Sequence, residues 1–439
     1  MAVANKHHIV IVGGGAGGLE LATQLGDKLR KKNADIILVD ISPTHVWKPL
    51  LHDVAAGTLD PNVDALEYLA QARWHHFRFR LGAMDGLDRR AREIFVAPTY
   101  NEQGLETIPR RTLQYDTLVL AVGSVSNDFG VKGVWEHCLF LDTTEQAQDF
   151  QKQMLDRLIR AQGMGGPQEP AQLHVAIVGG GATGSELAAQ LHHVTHQLSA
   201  YGLDHIVPQQ DIKISIIEAA DRILPALPPR LSAAAESQLD RLGVEVHKGE
   251  MVVEITNDGV HTASGRFIPA GIIVWAAGIK APNLLADLDG LETNRLNQLV
   301  VKPTLQTIRD DAIFAFGDCA ACPVVEGTRG TVPPRAQAAH QQAAMLVRSL
   351  CNRLKDKPLP RYVYRDYGSL VALGKYSTVG TLMNRLMRGS VMIEGVVARL
   401  VYLSLYKMHQ VALFGWYRTI LLTMANVLRR RVYPEIKLH

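Results

Sequence analysis

The chain has 439 residues, 47% of them hydrophobic, enough to bury more than one core; this excludes a small or disordered module and sets an expectation of two or three domains. Four cysteines (Cys138, Cys319, Cys322, Cys351) exclude a disulfide scaffold, and the lone C-x-x-C of Cys319 and Cys322 lacks the second pair of a structural zinc site, so no metal is expected. The net charge of +3 is uneven: residues 395–439 carry seven Lys/Arg against Glu435 alone, a local +6 that leaves the preceding 394 residues at −3 and points the tail toward a membrane surface or nucleic acid.

The opening MAVANKHHIVIVGGG runs from a short polar lead into an apolar strand, with no room for a signal peptide, so a cytosolic chain is expected. HHIVIV (His7–Val12) reads as a buried parallel strand, followed by GGGAGG, a helical pattern over 19–31 and a second strand, DIILVD, ending at Asp40. Gly13, Gly15 and Gly18 stand at G-x-G-x-x-G, for a tight turn, backbone approach to a pyrophosphate, and close helix-to-strand contact. Asp40, 22 residues past Gly18, sits at a strand end where an acid accepts hydrogen bonds from ribose hydroxyls.

The connection GMGGPQEP (163–170) is a candidate boundary, and the same βαβ order then recurs: LHVAIV, GGGATG with Gly179, Gly181 and Gly184, a helix to about residue 199, and DIKISIIE ending at Glu218. Glu218 lies 34 residues past Gly184, a spacing stretched by SAYGLDHIVPQQD. A carboxylate there repels a 2′-phosphate and favours NADH over NADPH, with Arg222 the neighbouring cation that argues the other way. Two cradles imply two dinucleotides, most simply a nicotinamide handing hydride to a flavin. YDTLVLAVGS (115–124), GIIVWAAGI (271–279) and FAFGDCA (314–320) each run from strand into a small-residue turn suited to a bulky cofactor.

A second boundary is expected near 281–295, and the last 90 residues change character. Strand-like GSLVALGKYSTVG (368–380) precedes an apolar segment, 393–428, whose longest uncharged stretch near the C-terminus is ten residues, 419–428, short of the roughly 20 a bilayer crossing needs. Leu400, Val401, Ser404, Leu405, Met408 and Ala412 recur at helical spacing beside Arg399, Lys407, Trp416, Tyr417 and Arg418. That pattern fits an amphipathic helix lying in the headgroup region, and equally a helix packed on the protein's own sheet with a solvated basic face.

Taken together, GGGAGG, YDTLVLAVGS, GGGATGSE, VWAAGI, FAFGDCA, PPRAQAAHQQ and the tail EGVVARLVYLSLYKMHQVALFGWYRT resemble the two-dinucleotide flavoprotein reductases, and the combination resembles type II NADH:quinone oxidoreductase, the single-subunit respiratory NADH dehydrogenase of bacteria. The resemblance implies an α/β fold with two Rossmann-like domains, the flavin domain split by an inserted NADH domain, plus a C-terminal membrane-anchoring region. The expected divisions are 1–165 and 291–345 for FAD, 166–290 for NADH, and 346–439 for strands and amphipathic helices. It implies non-covalent FAD over Gly13, Gly14, Gly15, Ala16, Gly17 and Gly18, its adenosine ribose on Asp40 and its ribityl side on Asp318. Ile41, Lys48, Met84, Ala121, Gly123 and Gly317 complete that side, Ala336 and Gln337 open a helix toward the flavin's pyrimidine edge, and Lys375 approaches from the C-terminal strands. NADH falls to Gly179, Gly181, Gly184, Glu218 and Gly278. WKPLLHDVAAG (47–57) is similar to the stretch beside the isoalloxazine, with Trp47 where many relatives have Phe or Tyr.

The implied activity passes electrons from NADH through FAD to ubiquinone or menaquinone, without proton pumping, at the cytoplasmic face of a bacterial inner membrane. The tail then binds lipid, no nucleic acid partner is expected, and whether the chain forms a homodimer is left open. Glu186, in the first turn of the second-unit helix, is the candidate for proton movement, against the alternative that it only complements the helix dipole. Gln337, His340 and Gln341 share one helical face, and Gln337 and Gln341 are expected near the quinone. Cys319 and Cys322 read as bystanders, because no cysteine falls where related disulfide reductases keep their dithiol. The rivals are a sulfide:quinone oxidoreductase using Cys138 or Cys351, and an NADH-responsive interaction flavoprotein resembling the apoptosis-inducing ones.

Overall fold

The computed structural model describes residues 6–30, 34–101, 103–169, 171–199, 203–324, 330–373, 377–384 and 389–432. The chain divides into two compact units: 1–47 with 65–125 and 279–365, and 48–64 with 126–278 and 366–439.

The first unit is built on a five-stranded parallel sheet in the spatial order Ile313–Ala315, Thr117–Leu120, His7–Val12, Ala34–Asp40, Arg78–Leu81. Its inner strands are largely apolar runs, as buried parallel strands are, while the edge strand Arg78–Leu81 alternates; Val10, Ile11, Leu38, Val39, Leu118 and Phe314 are wholly buried. Strand order reverses between His7–Val12 and Thr117–Leu120, where a doubly wound sheet opens a crevice beyond its carboxyl ends. The Ala16–Leu29 helix starts there and packs against the Ala336–Arg353 helix.

The second unit repeats the plan with four parallel strands ordered Val244–Lys248, Lys213–Glu218, His174–Val178, Ile272–Trp275. Its division from the first unit falls at Val125, well before residue 166. The physical reason is packing: Val134, Cys138 and Phe140 join the core formed by Ala176, Val178 and Trp275, and Leu139 bridges Val274 in parallel. Residues 48–64 also belong to this unit, Lys48 with them.

The C-terminal strands Gly368–Leu373, Ser377–Asn384 and Gly389–Glu394 form an antiparallel sheet on which the Gly395–Val432 helix packs. This helix is broken at Gly415 (φ 74°, ψ 169°), a left-handed position that suits glycine. Before the break it buries His409, Gln410 and Leu413, while Met408 of the expected stripe is exposed, so the inward face is one position off the expected one. After the break Trp416 and Tyr417 are 75% and 76% exposed, and Ile420, Leu421, Met424, Val427 and Leu428 follow them into solvent. The half before the break is thus the one packed on the protein's own fold, and the half after it is exposed. By length and composition Tyr406–Arg429 could cross a membrane, but the break leaves a helix over 416–432, about 26 Å against roughly 30 Å of hydrocarbon.

Candidate functional site: two acid-braced glycine cradles and a buried carboxyl

In the first cradle Gly13 (φ 101°) donates to Val39 O at 2.8 Å, and a Cβ on it would stand 2.3 Å from Ala121 O. A Cβ on Gly18 would strike the Gly13 carbonyl, so strand, turn and helix are in backbone contact. Asp40 binds the loop directly: Oδ2 accepts from Gly14 N (2.5 Å) and Oδ1 from Ser42 N (2.8 Å), while the buried Tyr68 hydroxyl donates to Gly14 O (2.7 Å).

The second cradle repeats the strand and acid bonds of the first. Gly179 (φ 110°) donates to Ile217 O at 2.8 Å, and Glu218 accepts from Gly180 N through Oε2 (2.7 Å) and from Ala220 N through Oε1 (2.8 Å). The extra residues between Gly184 and Glu218 extend the Ala182–Ser199 helix and add the Pro208–Asp211 turn, leaving the acid in register. The Arg222 guanidinium donates to Pro225 O (3.0 Å).

Both cradles fit a pyrophosphate. At Gly15 and Gly181 nothing lies within 4 Å of where a Cβ would stand, so an anion can approach the backbone at the start of each helix. Among the remaining first-unit candidates, Met84 is buried and Ile41 exposed, and a Cβ on Gly123 would meet open space. Asp318 accepts from the Ser124 hydroxyl (2.9 Å), and its carbonyl takes the Gln298 side-chain amide (2.8 Å). Ala336 and Gln337 begin the Ala336–Arg353 helix. Further along it, Gln341 is engaged at both ends by the Arg365 backbone (2.8 and 3.1 Å), and His340 Nδ1 meets the buried Glu20 Oε2 at 2.5 Å. Sequence reasoning missed Gln342, buried one step on, whose Oε1 holds Gly317 N at 2.8 Å; no pattern distinguished it from its neighbours.

Cys319 and Cys322 are free thiols with no exposure, pushed up to about 11 and about 12 by burial, so neither supplies a thiolate near neutral pH. In the second unit Gly278 (φ 62°) lies under the Phe129 ring, and Lys48 bonds Asp142 (3.1 Å). Lys375 lies outside the described residues.

Glu186 is 7% exposed, and burial pushes its carboxyl up to about 7, against the nearby His52 and the Ala372 N–H, which favour the anion. Oε1 accepts from Ala372 N at 2.9 Å, and His52 Nδ1 stands 3.6 Å from Oε2. Glu186 is the fifth residue of the Ala182–Ser199 helix, whose first turn holds no acid, so it lies beyond the turn where the expected dipole contact acts, and it is enclosed. His52 was not singled out from the sequence, where it is one of 17 histidines.

Two doubly wound units with matched nucleotide cradles define a class of flavin- and pyridine-nucleotide-dependent enzyme, and the family model for pyridine nucleotide-disulphide oxidoreductases matches residues 7–343. The type II NADH:quinone oxidoreductase of Haemophilus influenzae is 43% identical, covering 98% of this chain and 100% of its own length. The type II NADH:quinone oxidoreductase NdhA of Mycobacterium tuberculosis is 27% identical over 94% of this chain and 87% of its own. The solved structure of NDH2 from Plasmodium falciparum in complex with NADH superposes with a TM-score of 0.82 at 20% identity, covering 99% of this chain and 100% of that one. The chain belongs to the type II NADH:quinone oxidoreductase family.

Proposed function

We propose that this protein oxidises NADH and reduces a membrane quinone, ubiquinone or menaquinone, by way of non-covalently bound FAD, at the cytoplasmic face of a bacterial inner membrane and without pumping protons. The observation that carries the reading is the duplicated cradle, in which an acid at the end of the second strand braces the glycine loop twice over. When bound, FAD supplies a two-electron carrier between nicotinamide and quinone. The chain's own residues bind and orient: Gly13 to Gly18 with Asp40 take the FAD pyrophosphate and ribose, and Asp318, held by Ser124, faces the ribityl region. Gly179, Gly181, Gly184 and Glu218 take NADH, and the Glu218 carboxylate disfavours a 2′-phosphate. Glu186 holds and moves a proton for the quinone. Gln337 opens the helix toward the same chemistry, while Gln341, tied to Arg365, supports that helix's neighbouring segment. The exposed helix after Gly415, with Arg418 and Arg429, docks on the lipid surface.

Anaerobic titration of the flavin-loaded enzyme tests this. NADH should bleach the flavin at far lower concentration than NADPH, and a short-chain ubiquinone or menaquinone should restore the colour. Bleaching by sulfide alone, or no recovery with any quinone, would overturn it.

A further inference from the structure

Within the second unit, the loop of residues 127–133 holds an aromatic ring beside the second cradle. Phe129 is 63% exposed and has a left-handed backbone (φ 51°), which a bulky residue rarely adopts and which, where it occurs, gathers at ligand sites. Its neighbour Trp135 stacks on Phe140 at 4.5 Å, whereas among the described residues Phe129 stacks on no ring. The loop is nonetheless fixed. Phe129 N donates to Asn127 Oδ1 (3.1 Å), the Trp275 indole to Asn127 O (2.8 Å), and Asn127 N to Gly278 O (3.3 Å). Its far end is held where Ile255 N donates to Lys132 O (2.9 Å) and where a Cβ on Gly133 would strike the Ile255 carbonyl. The Phe129 ring meets Gly278 by its tip, since a Cβ on that glycine would strike Cζ and Cε2, and the rest of the ring is open to solvent.

Strand order determines which part of a dinucleotide reaches this ring. Lys213–Glu218, His174–Val178 and Ile272–Trp275 lie side by side and parallel, so their carboxyl ends form one row. Glu218, for the adenosine ribose, closes the first strand, and the Gly179–Gly181 loop, for the pyrophosphate, follows the second. The third runs into Ala276, Ala277 and Gly278, and the cradle touches it directly: a Cβ on Gly179 would stand 2.7 Å from Ala276 O and 2.8 Å from Ala277 N. A dinucleotide laid along this row with its adenosine at Glu218 carries its other half over residues 276–278, beside Phe129. We infer that Phe129 is the wall against which the nicotinamide riboside of NADH packs, its ring face covering the flat nicotinamide. The inference rests on the reading of the second cradle as the NADH site. An aromatic side chain suits the task because two flat rings stack with an offset, and a ring already fixed by its loop loses little freedom when the ligand arrives. Phe129 makes no bond to the reacting atoms; it orients the half of the substrate that reacts, and the adenosine half never meets it.

The test compares two ligands on the flavin-loaded enzyme: NADH, by the concentration that half-saturates anaerobic flavin bleaching in stopped flow, and ADP, which has the adenosine and both phosphates but no nicotinamide riboside, by its competition with NADH. In Phe129→Ala the half-saturating NADH concentration should rise about 5- to 50-fold while the inhibition constant of ADP stays within about twofold. Alanine bears the same left-handed backbone, so the difference reads the ring. Phe129→Tyr, which keeps the flat face, should bind NADH within about threefold of wild type. If Phe129→Ala loses its flavin, Phe129→Leu, which keeps bulk without a flat face, decides by the same two ligands. NADH saturation unchanged in the variant, or NADH and ADP weakened together as a deformed cradle would weaken them, would overturn the role of Phe129 and leave the NADH reading standing. A wild type that NADH does not bleach, or on which ADP does not compete, would overturn the cradle reading and the inference with it.

Discussion

At Glu186 the same burial that suits an acid to proton transfer works against the fold. An acid raised from 4.5 to about 7 stays protonated in the folded chain while the unfolded chain ionises, so stability falls as pH rises from about 4.5 to 7 and stays lower above that. The cost at its full extent is about 3 kcal/mol. Glu186→Gln should therefore raise the melting temperature at pH 8 and leave it nearly unchanged at pH 4, while slowing quinone reduction about 100-fold or more, read by calorimetry and stopped flow. The wild-type quinone step should itself slow as pH rises through about 7, a dependence the variant lacks. The buried cysteines give the opposite expectation. Replacing Cys319 and Cys322 together with serine should leave NADH:quinone turnover within about twofold and lower the melting temperature, because each hydroxyl enters an enclosed site.

At the scale of elements, the contact between the Ala16–Leu29 and Ala336–Arg353 helices carries a pH-sensitive link. Glu20, 1% exposed, accepts from Gln24 (2.7 Å) and meets His340, whose pKa is raised mainly by that hydrogen bond. A histidine with a raised folded pKa contributes stability that is fully present below about 6.5 and is lost as pH rises through the folded value. His340→Gln should thus lower the melting temperature at pH 6 more than at pH 9, and thermal scans at the two pH values check it. The shared face of Gln337, His340 and Gln341 was legible from spacing, but its partners were not. Periodicity says which residues sit side by side on one helix, and nothing about the Glu20 or Arg365 that another segment presents to them.

Across the whole molecule, charge and apolar exposure concentrate at one end of the chain. The body is slightly acidic, whereas the last 45 residues hold a net +6 and the exposed run from Trp416 onward. The half before Gly415 packs on the three-stranded sheet, so a cut at residue 415 spares that sheet and one at 393 does not. Removing 416–439 should release the enzyme from anionic vesicles in a flotation assay while NADH still bleaches the flavin. Replacing Trp416 and Tyr417 with serine should weaken binding at high salt most, where the apolar contribution stands alone.

What the sequence determined by itself is whatever is encoded locally: the two strand–glycine–helix cradles, their terminal acids, the family resemblance, and the apolar, basic end of the chain. Each depends on residues within a few turns of one another, whose spacing is visible without the fold. The tertiary structure decided what depends on distant residues meeting. It gave residues 126–165 to the second unit through the core around Cys138 and Phe140, broke the last helix at Gly415 into a packed and an exposed half, and bound Gln341 to Arg365. It also brought His52 to Glu186 across 134 positions of chain, and that enclosure turns an ordinary helical glutamate into an acid that titrates near neutrality.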